Sequence, residues 1–118
     1  MGLRCLIVDD NVHFLVAASE LLEREGISVV GVARKATEAL QRSEELRPDL
    51  TLIDIDLGAE SGFDIARQLA GHGAAPIILI STYAERDFID LITASPAIGF
   101  LPKSELSVQA IHALLEGP

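Results

Sequence analysis

LTLIDIDLG, residues 50–58, is the stretch on which the fold turns. An apolar run of strand length reaches Asp54 and breaks at a second acid, Asp56, two places on. A buried carboxylate must be solvated, protonated, paired or bound to a cation, so a strand that ends in acids is expected to end where charge is received. Four further runs share its length: LRCLIV (3–8), SVVGVA (28–33), PIILIS (76–81) and IGFLP (98–102). They are rich in β-branched residues and nearly all lack alternation, the mark of parallel strands covered on both faces.

Between these runs apolar residues recur at helical spacing. Val12, Leu15, Ser19 and Leu22 share one face, with Phe14, Ala18 and Leu21 beside it. Ala36, Leu40 and Ser43 line a second, Phe63, Ala66 and Leu69 or Ala70 a third, Phe88, Leu91 and Ile92 a fourth, and Val108, Ile111 and Leu115 a fifth. Boundary signals agree: Asp10 or Asn11 can cap the first helix, Gly26 is placed as its C′ residue, SGFD (61–64) reads as a capping box, and Pro48, Pro76 and Pro96 fall between elements. Five strands alternating with five helices predict an α/β fold: a (βα)5 doubly wound, five-stranded parallel sheet in the flavodoxin-like order 2-1-3-4-5, with helices on both faces. One domain over residues 1–118 is expected, without repeat or linker.

Composition narrows the function. At 49% hydrophobic and 23% charged residues the 118-residue chain reads as an ordinary soluble globular domain able to close one core. A net charge of -9 opposes direct binding to nucleic acid or to an anionic membrane surface. No apolar run approaches the roughly 20 residues that span a bilayer. The opening MGLRCLIVDD does not resemble a signal peptide, and Leu6 stands where an N-myristoylation motif at Gly2 needs Ser or Thr. A cytoplasmic location is expected. Cys5, the one cysteine, lies in an apolar run and is expected to be a buried thiol.

In the expected strand order, ligands bind beyond the carboxyl ends of the strands at the switch between the first and third. Asp9 and Asp10 close the first strand and Asp54 the third, so three carboxylates distant in sequence should meet in one crevice. Like charges at that range ionise together only when a cation shares them, and oxygen ligands with room for water favour Mg²⁺. Taken singly, each acid reads equally well as a solvated strand end or a helix cap. Ser81 and Thr82 end the fourth strand, and Lys103 follows the fifth. A hydroxyl and an ammonium beside a carboxylate-bound metal suit a phosphoryl group, with Asp54 as nucleophile and Lys103 and Ser81 binding phosphoryl oxygens.

With these motifs in place the chain closely resembles, over nearly its whole length, the receiver domain of two-component response regulators. The resemblance rests on LIVDD (6–10), PDLTLIDIDLGAESG (48–62), IILIS (77–81) and GFLPKS (99–104). It implies Asp54 as the acceptor of phosphate from a sensor histidine kinase or phosphotransfer protein. It also implies Mg²⁺ held by Asp9, Asp10, Asp54 and the backbone carbonyl of Asp56. The side chain of Asp56 is expected near the route of the hydrolytic water. Ser81, Thr82 and Phe100 match the family's switch positions, and Phe100 is expected to rotate inwards on phosphorylation while the fourth helix repacks. The face formed by helix 4, strand 5 and helix 5 would meet a downstream protein or an output domain outside this chain. Three departures bear on that region: Ser104 follows the Lys where Pro is frequent, Gly58 and Ala59 stand where the acceptor loop usually has Pro, and Pro96 is expected to shorten the fourth helix.

Rival readings are weaker. The DID pair is similar to that of haloacid dehalogenase-type phosphatases, but it closes the third strand rather than the first, and the chain is short for that fold. A flavodoxin-type cofactor protein needs a hydroxyl- and Gly-rich loop where this chain has DDNV (9–12). A phosphate-independent docking module would not need the full set of phosphorylation residues. The expectation is therefore a signalling switch rather than an enzyme, and a single-domain regulator acting through protein contacts.

Overall fold

The structure, a computed structural model, describes residues 2–74 and 76–117; Met1, Ala75 and Pro118 of the expected domain lie outside the described residues. Five strands, β1 (Arg4–Val8), β2 (Ser28–Ala33), β3 (Leu50–Asp54), β4 (Ile77–Ser81) and β5 (Gly99–Pro102), form one parallel sheet in the order β2-β1-β3-β4-β5. Five helices, α1 (Val12–Arg24), α2 (Ala36–Leu46), α3 (Gly62–Gly71), α4 (Ile89–Ala94) and α5 (Val108–Glu116), join them. This is the flavodoxin-like architecture expected from the sequence.

Missing alternation in the strands becomes two cores. Cys5, Ile7, Leu50, Leu52, Ile78 and Ile80 point to one face, where Leu15, Ala18 and Leu22 of α1 and Ile111 of α5 cover them. Leu6, Val8, Ile53, Ile77 and Leu79 point to the other, under Ala39 of α2 and Phe63, Ala66 and Leu69 of α3. Each fully buried Leu or Ile contributes about 1.5–3 kcal/mol from removal of apolar surface from water. Cys5 lies wholly inside, and burial pushes its thiol up to about 12, so it is inert at neutral pH.

Helix ends follow the sequence signals. Asn11, rather than Asp10, caps α1 by accepting from Phe14 N at 3.1 Å, and Gly26 lies just past its end at φ 103°, a left-handed conformation that suits glycine. Ser61 caps α3 by accepting from Phe63 N. Asp64 makes no return bond to close a capping box; one methylene shorter than Glu, it pairs with Arg67 instead. α4 stops at Ala94, and Ser95 is extended, as a residue before proline must be.

Two expected inward positions, Val12 and Leu91, face out. Val12 is 48% exposed, and Phe14 takes the inward place in that turn. In α2, Ala36 and Leu40 pack against the core as expected, and Ala39 beside them is the fully buried residue. Leu91 is 52% exposed, because a 3₁₀ turn (Glu85–Phe88) precedes α4 and its three-residue pitch shifts the helical phase. Between β3 and α3 stands an element not expected from sequence, a short antiparallel hairpin pairing Asp56 with Ser61 and Leu57 with Glu60. Gly62 then packs against β3 so closely that a Cβ there would lie 1.9 Å from the carbonyl oxygen of Asp54.

Candidate functional site

Parallel pairing carries the ends of β1, β3 and β4 and the start of the β5–α5 connection to one edge of the sheet. Asp9 follows β1, its amide bonded to Ala33 O at 2.9 Å, and its carboxylate is fully buried. Asp9 Oδ1 accepts from Asn11 N at 2.8 Å. Asp10, next in the chain, is exposed at the mouth of the crevice. Asp54 is the last residue of β3 and is 6% exposed; its Oδ1 accepts from Asp56 N at 3.2 Å. Ligand oxygens of Asp9, Asp10 and Asp54 all lie within 4.8 Å of one another.

Lys103 enters the crevice from the turn after β5. Its Nζ lies 2.6 Å from Asp9 Oδ2 and 3.1 Å from Asp54 Oδ2. The contact to Asp9 is an ion pair off the line of a good hydrogen bond, which leaves buried Asp9 Oδ2 with free acceptor capacity. Burial pushes the Asp54 carboxyl up to about 6; the Asp56 amide pulls it down, the Asp9 charge adds to the rise, and Lys103 opposes it. For Lys103 burial pulls down, but the close contact with Asp9, the bond to Asp54 and the charges of both outweigh it, so the ammonium is held above its ordinary range.

The residue set suits a hard divalent cation. Three carboxylates face one ammonium, the cluster leaves negative charge uncompensated, and oxygen ligands with an exposed side match an ion that keeps part of its water shell. The Asp56 carboxylate is not part of the cluster: it is exposed, and its Oδ1 accepts from Gly58 N at 3.1 Å.

Ser81 ends β4, 1% exposed, and its Oγ accepts from Tyr83 N at 2.9 Å. Among the described residues its own hydroxyl proton has no acceptor. Thr82 beside it is exposed. Phe100, the third expected switch position, is inward in this structure, at 6% exposure within the core that includes Phe63 and Ile92. An aromatic row leads away from Ser81, with ring centroids 5.9 Å apart for Tyr83 and Phe88 and 6.3 Å for Phe88 and Phe63. These rings wall a hollow of about 560 Å³ beside Asp56. A hollow of similar size between α2 and α3, bounded by Leu40, Arg47, Leu69 and His72, includes none of the site residues.

Two contributors are not evident from sequence. The Lys103 ammonium sits 4.2 Å from the centroid of Phe14, a cation–π contact hidden in what reads as an ordinary helix face. Phe14→Leu keeps an apolar side chain without a ring face and is expected to cost about 0.5–1 kcal/mol in urea unfolding, whereas Phe14→Tyr stays near wild type. Equal loss in both variants would locate the effect in packing. The second contributor is Glu60, whose Oε1 accepts from Ala36 N at 2.9 Å across two loops.

Comparison with known proteins points the same way. The model of the response regulator receiver domain family matches residues 5–116. The chain is similar to the transcriptional regulatory protein PdtaR of Mycobacterium tuberculosis, 30% identical over 100 residues that cover 85% of this chain and 49% of PdtaR, so it spans about half the length of that relative. A two-component response regulator of the LuxR family from Aurantimonas sp. SI85-9A1 superposes with a TM-score of 0.87 at 30% identity, covering 99% of this chain and 87% of that one. A response regulator from Burkholderia pseudomallei, solved with a phosphorylated aspartic acid, a calcium ion and citrate, gives a TM-score of 0.84 at 26% identity, over 98% of this chain and 68% of that one.

Proposed function

The chain belongs to the response regulator receiver domain family, and on that premise we propose that it is a phosphorylation switch in which Asp54 accepts a phosphoryl group from a sensor histidine kinase or phosphotransfer protein. The observation that carries this reading is the position of Asp54: at the mouth of a central strand, between two other carboxylates and one ammonium. In the transfer, an Asp54 oxygen attacks phosphorus, the P–N bond of the donor phosphohistidine breaks, and the imidazole leaves with that electron pair. Mg²⁺ held by Asp9, Asp10, Asp54 and the Asp56 carbonyl would neutralise charge on the carboxylates and the phosphoryl oxygens. Lys103 supplies the remaining positive charge, exchanging carboxylate oxygens for a phosphoryl oxygen, and Ser81 offers its unspent hydroxyl proton to another. The phosphorylated aspartic acid and cation of the Burkholderia relative support this reading.

A signalling role without turnover of its own, in the cytoplasm and toward a downstream protein or output domain, accords with the family. No helix among the described residues is long and apolar enough to cross a membrane. Incubation with acetyl phosphate and Mg²⁺ should add one phosphoryl group by intact mass, lost again on hydroxylamine treatment as acyl phosphates are. Absence of uptake from both acetyl phosphate and phosphorylated donors would refute the proposal.

Transmission from the site should run through Ser81, Tyr83 and Phe88, because Phe100 is already packed. Drawing the Ser81 hydroxyl to a phosphoryl oxygen disturbs the bond it accepts from Tyr83 N and hence the ring row leading to α4. Tyr83 is the only tyrosine and there is no tryptophan, so tyrosine fluorescence reports this path directly. Beryllofluoride with Mg²⁺ should change the wild-type emission. Ser81→Ala should bind the mimic yet give about half that change or less, the size being limited by the lost differential contact. An equal change in the variant would place the coupling elsewhere.

A further inference from the structure

α2 begins without a cap of its own. Lys35 occupies the N-cap position in extended backbone and makes no side-chain bond to the first turn. The missing acceptor comes from another element: Glu60, in the second strand of the hairpin after Asp54, bonds Ala36 N at 2.9 Å. A carboxylate at a helix N-terminus is favoured both by the unsatisfied amide and by the helix dipole. Glu38, in the first turn, accepts from Arg34 N at 2.9 Å just before the cap position, so Glu60 and Glu38 each satisfy one amide at this helix start.

The hairpin is anchored in the core by Leu57, 5% exposed, and Glu60 is a second hold on its other strand. The hairpin has two residue pairs, Asp56 with Ser61 and Leu57 with Glu60, and so short a ladder is not stable by itself. Its tip hangs over the acidic crevice: a Cβ on Gly58 would lie 3.4 Å from Asp10 Oδ2, and Asp56 N bonds Asp54 Oδ1. Whatever fixes Glu60 therefore also fixes Asp56 and Gly58 relative to Asp10 and Asp54.

We propose that Glu60 is a positioning residue for the acidic crevice: by capping α2 from the acceptor hairpin it holds the Asp56-to-Gly58 segment in the form that receives a divalent cation. This rests on the reading of the crevice as a Mg²⁺ site. The link also joins the start of α2 to the acceptor loop, so cation binding and the order of the first turn of α2 are coupled.

Calorimetric titration of Mg²⁺ into the metal-free protein tests it, with amide exchange at Gly58 as a readout that needs no metal. Glu60→Ala should weaken Mg²⁺ by about fivefold or more and speed Gly58 exchange, while Glu60→Gln, which keeps the acceptor oxygen and loses the charge, stays within about twofold. Lys35→Ser added to Glu60→Ala gives α2 its own cap and should restore the thermal midpoint but neither Mg²⁺ affinity nor Gly58 protection. Recovery of Mg²⁺ affinity in that double variant would overturn the proposal, since Glu60 would then act only through helix stability. Glu60→Gln as weak as Glu60→Ala would overturn it too, by showing a long-range charge effect. No Mg²⁺ uptake by wild type would refute the site reading itself and the metal half of the proposal; unchanged Gly58 exchange in Glu60→Ala would refute the tether separately.

Discussion

Asp54→Asn should take up phosphoryl groups from acetyl phosphate at least about a thousandfold more slowly than wild type, because the amide is a poor nucleophile. The same variant should be more stable than wild type at pH 8 in the absence of metal. The folded Asp54 carboxyl titrates near 6, above its ordinary value of 3.8, so between those values the folded state holds more protons than the unfolded state. Stability therefore declines as pH rises through that window, and the whole penalty is present above it. Discounted for the open mouth of the crevice, the penalty is roughly 1–2 kcal/mol, and Asn, which cannot ionise, escapes it. Urea unfolding with a chelator at pH 4 and pH 8 should show a sloping wild type and a flatter variant. Labelling of Asp54→Asn at the wild-type rate would move the acceptor elsewhere, whatever the stability data show.

Lys103→Met should be the most damaging single change to the metal-free protein at pH 8. Among the described residues Lys103 is the only salt-bridge partner of Asp9 and Asp54, and the former is wholly buried. Met keeps a stem of similar length against Phe14 and removes the charge, leaving buried carboxylates uncompensated at a cost of about 3–5 kcal/mol. With the ammonium gone, only the Asp56 amide opposes burial and the Asp9 charge, so Asp54 protonates at still higher pH. The variant's deficit is therefore largest at pH 8 and narrows as pH falls toward 5. Saturating Mg²⁺ should narrow it as well, because the cation meets no competing ammonium at Asp9 and Asp54 in the variant and so stabilises its folded state more than that of wild type. A deficit that grows on acidification would contradict the assignment of Lys103 as the counter-charge of the crevice.

Five strands, their parallel order and the gathering of Asp9, Asp10, Asp54, Ser81 and Lys103 at one edge all follow from the sequence alone. The reason is local. A run such as residues 5–8 is apolar at every position, so Cys5 and Ile7 need cover on one face while Leu6 and Val8 need it on the other. Helices must then lie on both sides, right-handed crossovers leave few strand orders, and an acid that cannot sit in such a strand's interior must stand at its end. What the tertiary structure decided lies between elements. The hairpin after Asp54, the cap that Glu60 lends to α2 from 24 residues away, Phe14 under the Lys103 ammonium, the inward Phe100 and the outward Leu91 carry no periodic signature. Each depends on how two elements approach, an angle and a distance set by side chains remote in sequence. A pattern with a period of two to four residues reports which face of an element is buried, not which atom of another element it will meet.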